Sequence, residues 1–226
     1  MASSENNPVE NEAVERAESL INSLKETDVS LETIYRVSRA CEFHEDETDG
    51  HIERMSHYST AIARQLGQDE TFLQNILFAA PLHDVGNIAV PDDTLHKPGK
   101  LNETEWEIMR KHSRFGAKIL KEFEADFFKM AQDIAAFHHE KWNGTGYPLG
   151  IKGTQIPVAG RIVAVADTFD GLTWERRYKP AHSLEEAFSV IREGSGFNFD
   201  PAVVNAFFGI KDEITAEFNW WKFMGD

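Results

Sequence analysis

Phe72-Leu73-Gln74-Asn75-Ile76-Leu77-Phe78-Ala79-Ala80-Pro81-Leu82-His83-Asp84 is a nearly unbroken apolar run that ends in two residues able to bind a metal ion. A run of this length reads as a buried helix, with Pro81 disturbing its last turn before the His-Asp pair. Working outward, Ile52, Met55, Ser59, Ile62 and Leu66 recur at helical spacing and mark a helix that begins near His51 and stops at Gly67. Ahead of it, Leu31, Ile34, Tyr35 and Ser38 begin an amphipathic stretch capped by Ser30. Ala13, Ala17, Leu20, Ile21 and Leu24 share one face of another. Beyond Asp84, a loop rich in Pro and Asp runs through Pro98-Gly99. Asn102 with Glu105 then forms a capping-box pattern that opens a helix through about Leu120, carrying His112. Residues 127–140 read as a helix ending in His138-His139-Glu140. The stretch 143–157, with its glycines and prolines, is a loop. Ile162, Val165, Ala166, Phe169 and Leu172 place Asp167 on the flank of a further helix, and a last one covers Pro201–Phe208 before an aromatic tail with Trp220 and Trp221. The expected class is all-α: a helical bundle over residues 46–226 with a short helical appendage over residues 1–45.

With 226 residues, 41% hydrophobic and 11% aromatic, the chain can bury a substantial core. No apolar stretch approaches the roughly 18 residues of a membrane span, and the first residues have neither the basic nor the apolar region of a signal peptide. No sensory domain is expected ahead of the appendage. The single Cys41 excludes an internal disulfide and a thiolate metal site. A cytoplasmic protein is expected. The net charge of −15 is uneven: residues 1–50 carry 13 acidic and 4 basic residues, while the body is close to balanced. Long nucleic acids are poor partners for such a chain, because their binding rests on basic patches. A small anion held by metal ions is compatible.

Glu47, His51, His83, Asp84, His112, His138, His139 and Asp167 are the chemistry-bearing residues of five separated stretches. Residues four apart share a helix face, so Glu47 and His51 can converge on one ion. Asp84 has two oxygens and can bridge two ions. His138 and His139, if helical, point about 100° apart and serve neighbouring ions. Imidazole and carboxylate without thiolate suit Fe, Mn, Ni or Zn better than Ca or Mg. Two such ions activate a shared water and clamp both oxygens of an in-line displacement at phosphorus.

In this order and spacing the motifs resemble the HD-GYP branch of the HD metal-dependent phosphohydrolases, from about Glu47 to Phe207. The residues that carry the likeness are Glu47 to His51 with Arg54, His83-Asp84-Val85-Gly86, Lys97-Pro98-Gly99, His112 with Gly116, and His138-His139-Glu140 leading to Gly146-Tyr147-Pro148. Further on come Arg161-Ile162, Ala166 to Asp170, Arg176 to Lys179, and Phe199-Asp200-Pro201. The resemblance implies an HD-domain helical bundle. The implied activity is hydrolysis of a cyclic dinucleotide to the linear dinucleotide through a metal-bridging hydroxide, with cyclic di-GMP the first substrate and 3'3'-cyclic GMP-AMP the second. It implies His51, His83, Asp84, His112, His138, His139 and Asp167 as metal positions, with Glu47 recruiting a third ion beside two, most readily Fe or Mn. His83 and Asp84 would be catalytic, and Tyr147, Arg176 and Lys179 would contact the nucleotide.

One position departs from the pattern. Where the family reads His-Asp-x-Gly-Lys, this chain has Asn87, which can donate hydrogen bonds to a phosphate without neutralising it. That leaves a second reading open: a catalytically weak nucleotide receptor or interaction module with a signalling-protein partner. The apolar faces of the N-terminal helices also admit a homodimer.

Overall fold

The structure, a computed structural model, describes residues 31–44, 50–121, 126–175 and 180–225. Ser30, the first amphipathic stretch and the acidic turn Glu45-Asp46-Glu47 lie outside the described residues. Helices follow one another as α1 (Leu31–His44), α2 (His51–Gln65), α3 (Glu70–Ala79), the one-turn α4 (Asp92–Leu95), α5 (Glu103–Met109), α6 (His112–Leu120) and α7 (Asp126–Phe137). They continue with α8 (Val158–Thr173), α9 (Leu184–Glu193), α10 (Pro201–Gly209) and α11 (Lys211–Gly225). Among the described residues there is no strand, only an isolated bridge between Ser195 and Phe199. None of these helices is long and apolar enough to cross a membrane.

The helix ends follow local chemistry. Asp69 caps α3 by accepting from Phe72 N, and Asn102 with Glu105 makes the reciprocal capping box at α5. Ser183 with Glu186 does the same at α9, while Asp200 accepts from Ala202 N at the Pro201 start of α10. After Ala79 the helix tightens into a 3₁₀ turn over Ala80–Leu82, where Pro81 removes a donor. That tightening delivers His83 and Asp84.

Three expectations are revised. The helix from Asn102 to Leu120 is two helices, because the chain loosens at Arg110-Lys111. The Met109 carbonyl there accepts from the His112 ring at 2.8 Å. The loop after Asp84 is partly ordered, as a 3₁₀ turn over Val85–Ala89 followed by α4. The aromatic tail belongs to helix α11, and α9 is a helix beyond those expected.

The core lies where α2, α3, α7 and α8 pack together, with α9 and α10 closing its far side. Met55, Tyr58, Ile62, Ile76, Ile134, Ile162, Phe169 and Phe207 are almost completely buried in it. Each such side chain contributes about 1.5–3 kcal/mol by leaving water. Tyr58 meets Phe169 edge to face at 5.3 Å, fixing α2 against α8. Ile34 and Cys41 join α1 to the same core.

The Val85–Ala89 turn lies directly against α6. A Cβ on Gly86 would come within 2.0 Å of the His112 carbonyl oxygen and 2.5 Å of Gly116 N. Glycine at 86 is therefore what lets the segment after Asp84 touch the helix that carries His112. Gly86→Ala is expected to lower stability by at least about 1–3 kcal/mol, as an overpacked backbone contact does. Denaturant unfolding measures it, and an unchanged midpoint would show that the contact is not tight.

Candidate metal centre

Seven sequence-selected side chains meet at one end of the bundle. Asp84, His112, His138 and His139 form one group and His51, His83 and Asp167 another, with one donor atom per residue within 4.8 Å of the rest of its group. Asp84 stands between them. Its Oδ2 lies 3.3 Å from His83 Nε2, and its Oδ1 lies 3.4 Å from His112 Nε2 and 3.3 Å from His138 Nε2. His51 Nε2 is 3.8 Å from Asp167 Oδ1, and the His51 and His83 rings are 5.4 Å apart.

The opposite edge of each of four imidazoles explains why these nitrogens point inward. Nδ1 of His83 lies 3.1 Å from the Ala80 carbonyl, that of His112 2.8 Å from Met109, and that of His138 2.9 Å from Ile134. His51 Nδ1 is 2.7 Å from Asp170 Oδ2. A carbonyl only accepts, so Nδ1 carries the proton in the first three rings, and in their neutral form Nε2 presents its lone pair to the centre. This is the outer-partner arrangement that orients metal-binding histidines.

Burial pushes His112 below the ordinary imidazole range. Burial, aided by His138 and His112, pushes His139 well below it. Both rings are thus held neutral, as a metal ligand must be. Desolvation alone would raise Asp84; only positive charge on or among His83, His138 and His112 holds its carboxyl well below the usual carboxylate value.

His138 Nε2 and Asp84 Oδ1 are both buried and take no hydrogen bond although they face each other. Two acceptors in that position repel, and a cation between them removes the repulsion. The donor set therefore fits divalent metal ions. The Asp84 side chain as a whole keeps 27% exposure, so the centre opens to solvent on one side.

Where the helix stops changes one expectation. The regular part of α7 ends at Phe137, and His138 N–H still donates to the Ile134 carbonyl at 3.0 Å, so the pair sits at the helix end. Their rings are 4.0 Å apart and belong to the same group. Tyr147 stands beside them, its ring 4.8 Å from that of His139 and inclined by 33°. Gly146 makes this possible, since a Cβ there would meet Lys141 N at 2.3 Å and the His139 carbonyl oxygen at 2.5 Å. Burial, with Asp84 adding to it, raises the Tyr147 hydroxyl, which stays protonated. The Tyr147-Pro148 peptide is cis. Asn87 is buried three residues beyond Asp84, its N–H donating to the Asp84 carbonyl at 2.9 Å. Glu47, Arg176 and Lys179 lie outside the described residues.

Sequence reading assigned no role to two carboxylates that hold this arrangement. Asp170 receives both Arg54 Nε at 2.6 Å and Arg54 Nη2 at 3.0 Å while accepting from His51. Glu140 Oε1 accepts from Leu149 N at 2.7 Å and Gly150 N at 2.9 Å, which pins the loop that presents Tyr147. The available signal was spacing: Arg54 follows His51, and Asp170 follows Asp167, by three residues, so each pair shares a helix face.

Residues 15–203 match the family described as HD domain. The chain belongs to that family. HD-domain phosphohydrolases depend on divalent metals, and the clustered His and Asp side chains are candidate ligands. The chain is 43% identical over 188 residues, 83% of its length, to a cyclic di-GMP phosphodiesterase of Thermotoga maritima, covering 51% of that protein. It is 41% identical over 197 residues, 87% of its length, to 3'3'-cGAMP-specific phosphodiesterase 2 of Vibrio cholerae, covering 37% of it. The chain thus spans about half or less of these curated relatives. Among solved structures, a cyclic GMP-AMP-specific phosphodiesterase of V. cholerae superposes with a TM-score of 0.63 at 23% identity, over 80% of this chain and 48% of that one. An HDG"Y"P protein from Bdellovibrio bacteriovorus gives 0.58 at 18% identity, over 93% and 75%. Both support the helical fold.

Asp170→Asn removes the carboxylate that takes two hydrogen bonds from the buried Arg54, and is expected to cost about 3–5 kcal/mol near neutral pH. Burial opposes ionisation of Asp170, but His51 and Arg54 depress its pKa below the usual carboxylate value. Its contribution is therefore complete above the unfolded value of about 3.9 and disappears as pH falls through the lower folded value. Thermal unfolding of both proteins across acidic pH should show the gap closing only there. A gap that does not change with pH would exclude this ion pair as its source.

Proposed function

We propose that this HD domain is a metal-dependent phosphodiesterase that opens a cyclic dinucleotide to its linear form, with cyclic di-GMP the preferred substrate and 3'3'-cyclic GMP-AMP the second. The observation that carries this reading is the Asp84 carboxylate, open to solvent on one side, with the Nε2 atoms of His83, His112 and His138 within 3.4 Å of its oxygens. The names of the relatives support the substrate class. Bound divalent ions would supply Lewis-acid activation of water and neutralise charge as one phosphoester bond breaks. His51, His83, Asp84, His112, His138, His139 and Asp167 would hold two ions and Glu47 a third, with Fe or Mn best matched to imidazole and carboxylate.

The chain's own residues then position the nucleotide. The Tyr147 ring, held by Gly146 and Glu140 beside His139, offers a flat apolar face to a purine. Arg176 and Lys179 would meet phosphate or base edges. Asn87 would donate a neutral hydrogen bond where a lysine would give a charge-assisted one, a difference of about 1 kcal/mol or more. Asn87 is also the observation that favours the second reading, a weakly active nucleotide receptor. We place residues 1–45 as a helical appendage to the 46–226 domain, suited to pairing two copies or engaging a signalling partner, in the cytoplasm.

Chromatography of products from Mn- and Fe-loaded protein given both cyclic dinucleotides tests the reaction. Linear dinucleotide is expected, and Asp84→Ala should abolish it. Nucleotide binding without turnover would replace the enzyme by the receptor. Asn87→Lys is expected to raise turnover by about tenfold; a fall would show that the asparagine is tuned to a different substrate. Glu47→Ala should lower the bound metal by one ion, read by elemental analysis, and an unchanged count would leave Glu47 outside the cluster.

A further inference from the structure

A second set of metal-ligating side chains meets where α1 ends. His44 is the last residue of α1, and Asp92 and His96 lie at the two ends of the single turn α4. Asp92 and His96 are four residues apart, so both side chains leave one face of that turn, and His96 N–H donates to the Asp92 carbonyl at 2.9 Å. His44 Nε2 lies 3.4 Å from Asp92 Oδ1. The His44 and His96 rings stand 5.4 Å apart, tilted by 60°. One donor atom from each of the three residues falls within 4.8 Å of the other two.

Four donors at bonds of about 2.0–2.1 Å around a tetrahedral ion are about 3.3 Å from each other. The His44–Asp92 contact already has that spacing, and one donor atom of His96 lies within 4.8 Å of both. His44 Nδ1, on the ring edge away from the nitrogen that faces Asp92, is buried and takes no hydrogen bond, so no acceptor fixes the proton there and Nε2 can offer its lone pair toward Asp92 or a shared ion.

We propose that His44, Asp92 and His96 form a peripheral binding site for a borderline divalent ion, Zn²⁺ first, which fastens the end of α1 to the segment that follows the His83-Asp84 pair. Two imidazoles and one carboxylate without thiolate suit Zn²⁺, and water completes the coordination at this half-open position. Both tethered segments flank the candidate centre. The α1 carboxylate Glu42 accepts from Ile52 N at 3.2 Å beside His51, and Asn87 lies in the turn that leads to Asp92. Zinc here would hold those two flanks at a set separation. The site is separate from the seven residues of the centre and does not depend on the phosphodiesterase reading.

Equilibrium dialysis of the full chain against low Zn²⁺, with bound metal counted by elemental analysis, tests it. His96→Asn and the double variant His44→Asn with His96→Asn should each bind one equivalent fewer than the unaltered chain. The same one-equivalent difference should persist when Asp84→Ala has disabled the centre. Equal counts in every pair would overturn the site. Imidazole nitrogen spectra of the unaltered protein avoid any effect of substitution on folding. Zn²⁺ should shift the ring signals of both His44 and His96 together, and unmoved signals would show that they form only an ion pair with Asp92.

Discussion

Asp84 puts a carboxylate among three imidazoles whose inward nitrogens lie 3.3–3.4 Å from its oxygens. Acceptors crowded in this way repel unless positive charge sits among them. The arrangement persists because each ring is tied from behind to a backbone carbonyl, those of Ala80, Met109 and Ile134. Those carbonyls belong to the ends of three different helical segments. Orienting the imidazoles therefore requires the ends of α3, α5 and α7 to converge, and the centre and the packing of the bundle are one constraint. Gly86 completes it by letting the chain after Asp84 lie on α6 with no side chain between them.

A second anchor holds the other half of the centre. Arg54, completely buried, makes two hydrogen bonds to Asp170, which in turn receives His51. Burying such a pair gains little net stability, but leaving either partner alone is expensive. Its use is orientation, since it joins α2 to α8 at the point where His51 and Asp167 approach. Trp174 covers it, with the Arg54 guanidinium carbon 3.8 Å from the indole centroid and Lys222 of α11 equally close to the same ring. The terminal helix is thereby connected, through one tryptophan, to a histidine of the centre.

The loop after the histidine pair uses other means to the same end. Glu140 receives two backbone N–H groups of the loop, and Gly146 allows the chain to fold back onto His139. Tyr147 is half-buried against His139, its ring 4.8 Å from the imidazole.

The sequence by itself determined the helical class, because apolar residues recur at helical spacing in α2 and α8, and caps such as Asn102 with Glu105 are written in adjacent residues. It also named the residue types of the candidate centre, since His and Asp stand out singly in a chain whose only cysteine is Cys41. What it could not hold is anything set by contacts far apart along the chain. Asp170 reaches Arg54 across 116 positions and His51 across 119, and a single sequence has no signal for such pairs. The break between α5 and α6 arises where the Met109 carbonyl meets the His112 ring. The tertiary structure decided these, because the direction in which a side chain points depends on which neighbour takes its hydrogen bonds.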